Sequence, residues 1–186
     1  MSYAVIGAGD TSWVLISAAL VLIMTPGVAF FYGGMVRQKN VLSIMMQSFS
    51  SIMVVGILWA IVEYSLAFAP GNPIIGGLQW LGLRGVWFSP FSAYSPDIPQ
   101  LAQMIFQAMF AVITPALIIG AFAERVRYGP LLLFIALWSL VVYAPVAHWV
   151  WGVDGWLHTM GMLDFAGGTV VHMAAGTAAL ASALVL

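Results

Sequence analysis

Long stretches of the chain carry no charged side chain, and the few charges fall between them. Asp10 is followed by an uncharged run to Val36. Arg37 and Lys39 come next, then an uncharged run from Asn40 to Val62. Further runs span Ile98 to Ala123, Tyr128 to Val153 and Phe165 to Leu186. Each is long enough for a helix to cross a hydrocarbon layer of roughly 30 Å, which takes about 20 residues. The stretch from Tyr64 to Leu83 is uncharged too, but holds Pro70, Gly71, Asn72, Pro73, Gly76 and Gly77. Such breakers mark a loop outside the bilayer. The pattern predicts five transmembrane helices at 11–36, 40–68, 98–123, 130–153 and 164–186, with a long loop after the second. The fold class is an all-α integral membrane protein.

Composition excludes the alternatives. Charged residues make up 6% of the 186 and hydrophobic residues 63%, with a mean hydropathy of +1.05. A soluble domain typically has roughly 25% charged residues. Six acidic and five basic residues leave a net charge of −1, so there is no basic surface for nucleic acid. Cysteine is absent, which removes disulfides, thiol nucleophiles and thiolate metal sites. No HExxH, GxSxG or P-loop pattern occurs, so neither an enzyme nor a cofactor is expected.

Lys and Arg set the orientation. Arg37 and Lys39 lie in the first loop, and Arg125 and Arg127 in the third; only Arg84 falls on the other side. Four against one places loops 37–39 and 124–127 in the cytoplasm and the N-terminus outside. Trp13, Trp80, Trp87, Trp151 and Trp156 then lie near the outer interface, where indole rings sit well. No cleaved signal peptide is read at the start. The uncharged ending ALASALVL reads as a truncated chain, and five helices suit one half of an inverted repeat.

Polar residues inside the spans are functional candidates, because an ionisable group in hydrocarbon is costly. Asp164, Gly168 and His172 recur every four residues, so they share a helix face with modest drift, and His172 lies roughly 12 Å deeper. Asp164 either caps the fifth helix or contacts a cation directly, and the two roles are compatible. Gly167 and Gly168 leave room for a neighbouring helix or a solute. A neutral His172 offers one donor and one acceptor, which suits packing against another helix, a small polar solute or a proton relay. No second ligand stands at metal spacing beside it. Phe106 and Phe110 are spaced for contact, and are either packing or a pair of rings obstructing a narrow pore. Gln103, Gln107 and Thr114 lie near that face, and Pro115 predicts a kink or a free carbonyl. His148 and Trp151 close the fourth helix; a Trp face there either anchors the interface or binds a cation. His158 and Asp154 read as a solvated turn, and Glu63 as a carboxylate snorkelling at the outer end of the second helix.

The residues DFAGGTVVH at 164–172 resemble the signature of the ammonium transporter family (Amt/Mep/Rh). PGVAFFYGGMVRQKN at 26–40, GAFAERVR at 120–127 and PVAHWVWG at 145–152 resemble other segments of it, in order along the chain. Trp151 favours the Amt/Mep branch. The resemblance implies that residues 1–186 form the N-terminal part of a transporter domain, the first inverted repeat of an eleven-helix fold. It implies homotrimers in the cell membrane, in contact with lipid, with a cytoplasmic nitrogen-regulatory signal protein as a further partner. The implied substrate is ammonium or ammonia, with methylammonium as a close analogue. By position, Trp151 and Phe110 match the outer ammonium site and Asp164 the carboxylate that shapes it. Phe106 and Phe110 match the rings above the pore, His172 the first pore histidine, and Phe31 and Tyr32 residues towards the inner vestibule. The implied mechanism is recruitment of ammonium, deprotonation, and passage of ammonia past His172 with the proton crossing separately. A sensor on the same fold, with little transport, is the alternative. Glu63 departs from the family, which more often has a small residue there.

Overall fold

A computed structural model of the chain describes residues 6–91 and 93–186. It is helical, with no strand among the described residues. Five helices are long and apolar enough to span a membrane: α1, Ala8–Gly33; α2, Gln38–Phe68; α3, Gln100–Phe122; α4, Tyr128–Thr159; and α5, Gly168–Val185. The first helix therefore starts and stops about one turn earlier than its expected 11–36. The fifth begins four residues later than its expected 164. The fourth breaks after Trp151 and resumes as a single turn at Trp156–Thr159.

Helix α3 is the centre of the bundle and packs against α1, α2 and α5, while α4 packs on α2. Over half of its apolar window, 56%, is buried, against 17% in α1 and in α5. The outer faces of α1 and α5 thus present apolar side chains such as Leu20, Ile23, Leu180 and Leu184. Small residues allow the close contacts. Ser48, Ser50 and Ser51 are buried along α2, and each returns its hydroxyl proton to its own helix, so none is left as an unpaired donor. Gly120 on α3 admits the ring of Tyr32 from α1; a Cβ there would lie 2.8 Å from the ring. The Tyr32 hydroxyl then donates to the Leu117 carbonyl at 2.6 Å.

Three helices contain a wide turn with i+5 bonding, at Trp59–Glu63 in α2, Ser139–Tyr143 in α4 and Gly168–Met173 in α5. The turn in α4 immediately precedes Pro145, whose ring would crowd the carbonyl four residues back in a regular helix. Helix α3 instead runs through Pro115 without a break. Pro115 cannot donate to the Ala111 carbonyl four residues back, while the Thr114 hydroxyl before it donates to the Phe110 carbonyl.

The long loop folds back on the C-terminal ends of α2 and α4. Gly76 donates to the Leu66 carbonyl at 2.8 Å and Ser65 to that of Gly77. His148 is fully buried, with its Nδ1 3.0 Å from the Ala67 oxygen and its Nε2 2.7 Å from the Asn72 oxygen. Trp149 Nε1 donates to Ile74 and Gly71 to the Asp154 carboxylate. His148 is therefore a clamp between helix and loop. Trp80 is also not an interfacial anchor: it is buried and stacks on Tyr64.

At the opposite end, Glu124 ties the first loop to the third. It accepts from the Arg37 backbone at 3.0 Å, from Arg37 Nε at 2.8 Å and from Asn40 Nδ2 at 2.7 Å. These bonds, Arg37 first, hold its carboxyl down at about 2. Glu124 itself adopts a left-handed backbone, φ 64°, which a non-glycine residue accepts only when its surroundings hold it there.

Candidate functional site

The arrangement at the end of α4 begins with the local chemistry of residues 164–170. Asp164 precedes α5 instead of lying within it. Its Oδ1 accepts from the Gly168 N–H at 2.8 Å, and its Oδ2 from Thr169 at 2.8 Å and Val170 at 3.1 Å. The first N–H groups of a helix have no partner of their own, and here one carboxylate serves three of them. Gly167 makes the connection with φ 77°. A Cβ there would also lie 2.7 Å from Val171. Gly167 thus serves the turn and is not an opening for a solute. Because 164–167 is not helical and a wide turn follows, Asp164 and His172 do not share a helical face.

The same turn fixes Trp151. Its indole N–H donates to the Asp164 carbonyl at 3.0 Å. Phe110 meets Trp151 edge to face with ring centres 6.1 Å apart, and Phe106 meets Phe110 in the same manner at 5.0 Å. These three rings and Asp164 line a cleft of about 500 Å³, together with Gln103, Gln107, Tyr94 and His158. The expected pairing of Phe106 with Phe110 is present, though edge-on rather than stacked.

The polar groups of the cleft are unequally engaged. Gln103 accepts from the Tyr64 hydroxyl at 2.9 Å, and Gln100 donates to the same hydroxyl. Gln107 Oε1 is buried without a partner. Tyr94, from the long loop, accepts from the Val153 N–H at 2.9 Å. Burial pushes its phenol up to about 12, so it stays neutral. Sequence reasoning did not single out Tyr94; its loop position carries no periodic signal. His158 faces the cleft from the short helix and is exposed, as the solvated-turn reading expected, but Asp154 turns away to Gly71.

The remaining expected residues lie elsewhere. His172 is exposed on α5 and does not line the cleft; its N–H bonds to Gly167 in the wide turn. It is therefore not buried within this chain. Phe31 is exposed on α1, while Tyr32 points inward to Gly120. Glu63 overturns its snorkelling expectation. It is completely buried in the wide turn of α2, with neither carboxyl oxygen hydrogen-bonded. Among the described residues no three His, Asp or Glu side chains cluster as metal ligands.

A cleft of aromatic edges beside a capping carboxylate is thus set among five helices long and apolar enough to span a membrane, as in an integral membrane protein. The chain belongs to the Ammonium Transporter Family, whose model matches residues 12–186. The ammonium transporter of Bacillus subtilis is 59% identical over 178 residues, covering 96% of this chain and 44% of that protein. Ammonium transporter 1 of Schizosaccharomyces pombe is 46% identical, over 96% of this chain and 36% of that protein. The crystal structure of Candida albicans Mep2 superposes with a TM-score of 0.89 at 40% identity, over 96% of this chain and 39% of the other. A structure described as a Sensor Amt Protein gives a TM-score of 0.83 at 27% identity. The chain spans less than half the length of these relatives.

Proposed function

We propose that this chain is the N-terminal half of an ammonium transporter and that its cleft recruits the ammonium ion. The observation that carries the reading is the juxtaposition of Trp151, Phe110 and Asp164 in one cleft. A small cation over an aromatic face gains about 2 kcal/mol or more once desolvated. The Asp164 carboxylate adds negative potential without closing the cleft, because its oxygens are already held by backbone N–H groups. A bare ammonium ion entering the dry interior would meet a large solvation penalty, so it gives up its proton near Phe106 and Phe110. Ammonia then passes His172, and the proton crosses separately. His172 is exposed on α5, which leaves it free to line a pore shared with a second half.

The Arg37–Glu124 ion pair supports a common side for loops one and three, and their four basic residues favour the cytoplasm of a cell-membrane protein. Trimeric assembly and a cytoplasmic nitrogen-regulatory partner belong to the same reading. A sensor with the same fold is the second reading, favoured by the likeness to the Sensor Amt Protein. The test is ammonium-evoked current in membranes carrying the full-length protein. Transport predicts a current whose half-saturating ammonium concentration rises about thirtyfold in Trp151→Leu, the equivalent of about 2 kcal/mol. Tight ammonium binding with no current would favour the sensor. A His172→Ala protein with unchanged current and selectivity would refute the proposed route through the pore.

A further inference from the structure

Glu63 takes no part in the recruitment cleft, yet its surroundings are specialised. Its side chain is completely buried, and both carboxyl oxygens lack a hydrogen-bond partner. It ends the wide turn Trp59–Glu63 and faces the matching wide turn Ser139–Tyr143 of α4. Three side chains bear on this pair: Ser139 beside the carboxyl, Tyr143 within its electrostatic reach, and Thr114 of α3 beside the phenol.

Two of the three donors are already committed, and the Tyr143 hydroxyl has no partner within hydrogen-bond distance. The Ser139 hydroxyl gives its proton to the Ala136 carbonyl and Thr114 gives its own to Phe110. What these two present to their neighbours is oxygen lone pairs. An acceptor facing acceptors needs a hydrogen between them. No positive charge is at hand either. The five Lys and Arg residues stand at 37, 39, 84, 125 and 127, at the ends of the helices or between them, and Arg37–Glu124 is the ion pair among the described residues. The 81–83 turn packed against Trp59–Glu63 contributes Leu81, Gly82 and Leu83, and Arg84 beyond it is exposed. An ionised carboxylate in such a place would be uncompensated.

We propose that Glu63 is a buried proton-binding site. It is occupied in the folded protein at neutral pH, with the bound proton on a carboxyl oxygen and shared towards Ser139 Oγ. A proton is the ligand that fits, because the carboxyl oxygens have no accessible surface for anything larger. The adjoining Tyr143 is fully buried, and neither it nor Glu63 lines the recruitment cleft. The proposal stands independently of the transport reading.

Infrared spectroscopy of the full-length protein in lipid at neutral pH tests it directly. A protonated carboxyl shows a carbonyl band distinct from the carboxylate bands, upshifted where hydrogen bonding is weak. The expected result is such a band in the parent and its loss in Glu63→Gln, which keeps shape and neutrality. Identical spectra would overturn the proposal. If Glu63→Gln does not fold, Glu63→Asp decides. It keeps a carboxyl at a different reach, so the protonated-carboxyl band should persist at a shifted frequency. A band unchanged from the parent would overturn the proposal. Neither readout requires ammonium, so a failed transport test leaves both informative.

Discussion

Replacing Asp164 with alanine removes the acceptor of three backbone N–H groups and leaves the Trp151 bond to the residue 164 carbonyl in place. The three donors do not lose equally. Gly168 is exposed, so water can take over its bond. Thr169 is half-buried and Val170 fully buried, and their N–H groups gain little from solvent. A hydrogen bond to a charged group contributes about 1.5–3 kcal/mol. A single side-chain cap is worth about 0.5–2 kcal/mol. Two poorly replaced bonds therefore put the loss at about 2–4 kcal/mol. The cost should fall locally, on the first turn of α5. Hydrogen–deuterium exchange of the protein in lipid nanodiscs, read on peptides covering 168–173, is the suitable assay. Exchange at Thr169 and Val170 should accelerate roughly 30- to 1,000-fold. Asp164→Asn, which keeps one neutral acceptor but turns an amide against a donor, should lie between the parent and the alanine variant. If exchange in Asp164→Ala stays within about threefold of the parent, the carboxylate is not what holds the start of α5.

Two further outcomes are expected. The Glu124 carboxyl is held at about 2, below its ordinary 4.5, by Arg37 and Asn40. A lowered carboxylate stabilises the fold fully above its ordinary value and loses that contribution as pH falls from 4.5 towards about 2. Glu124→Gln should flatten the pH dependence of thermal unfolding across that window and leave it unchanged near neutrality. His148→Ala empties a buried site and removes the hydrogen bond that the imidazole N–H gives one of the two carbonyls, a large-to-small change costing about 2–5 kcal/mol. It should free the loop after α2, and trypsin should then cut after the exposed Arg84 faster in the detergent-solubilised variant than in the parent.

The five spans were legible because hydrocarbon tolerates so little charge that its boundaries are written as Asp, Glu, Lys and Arg. The Asp164 cap was legible for a local reason: an acid a few residues ahead of paired glycines and an apolar run is the chemistry of a helix start. So was the contact of Phe106 with Phe110, four residues apart on one helix. What failed was extrapolation through irregular backbone. The four-residue spacing from Asp164 to His172 assumed a continuous helix, whereas Gly167 is left-handed and the next residues form a wide turn. Glu63 was misplaced because its neighbours Ser139, Tyr143 and Thr114 come from other helices. Trp80 was misplaced, and the burial of His148 not foreseen, for the same reason: the loop after α2 folds over by contacts distant in sequence.

The wide turns have a bearing on how this bundle tolerates length changes. A turn with i+5 bonding holds one residue more than the regular ladder, as a single-residue insertion would leave it. Winding the same residues regularly through Trp59–Glu63, with no wide turn to take up the extra one, would swing everything beyond it by about 100°. Tyr64 and Phe68 would rotate off Trp80 and Tyr94, and the loop would lose its seat. The tip of α2 thus keeps its bearing because the wide turn takes up the extra residue, as a slipped cog is absorbed without turning the wheel beyond it.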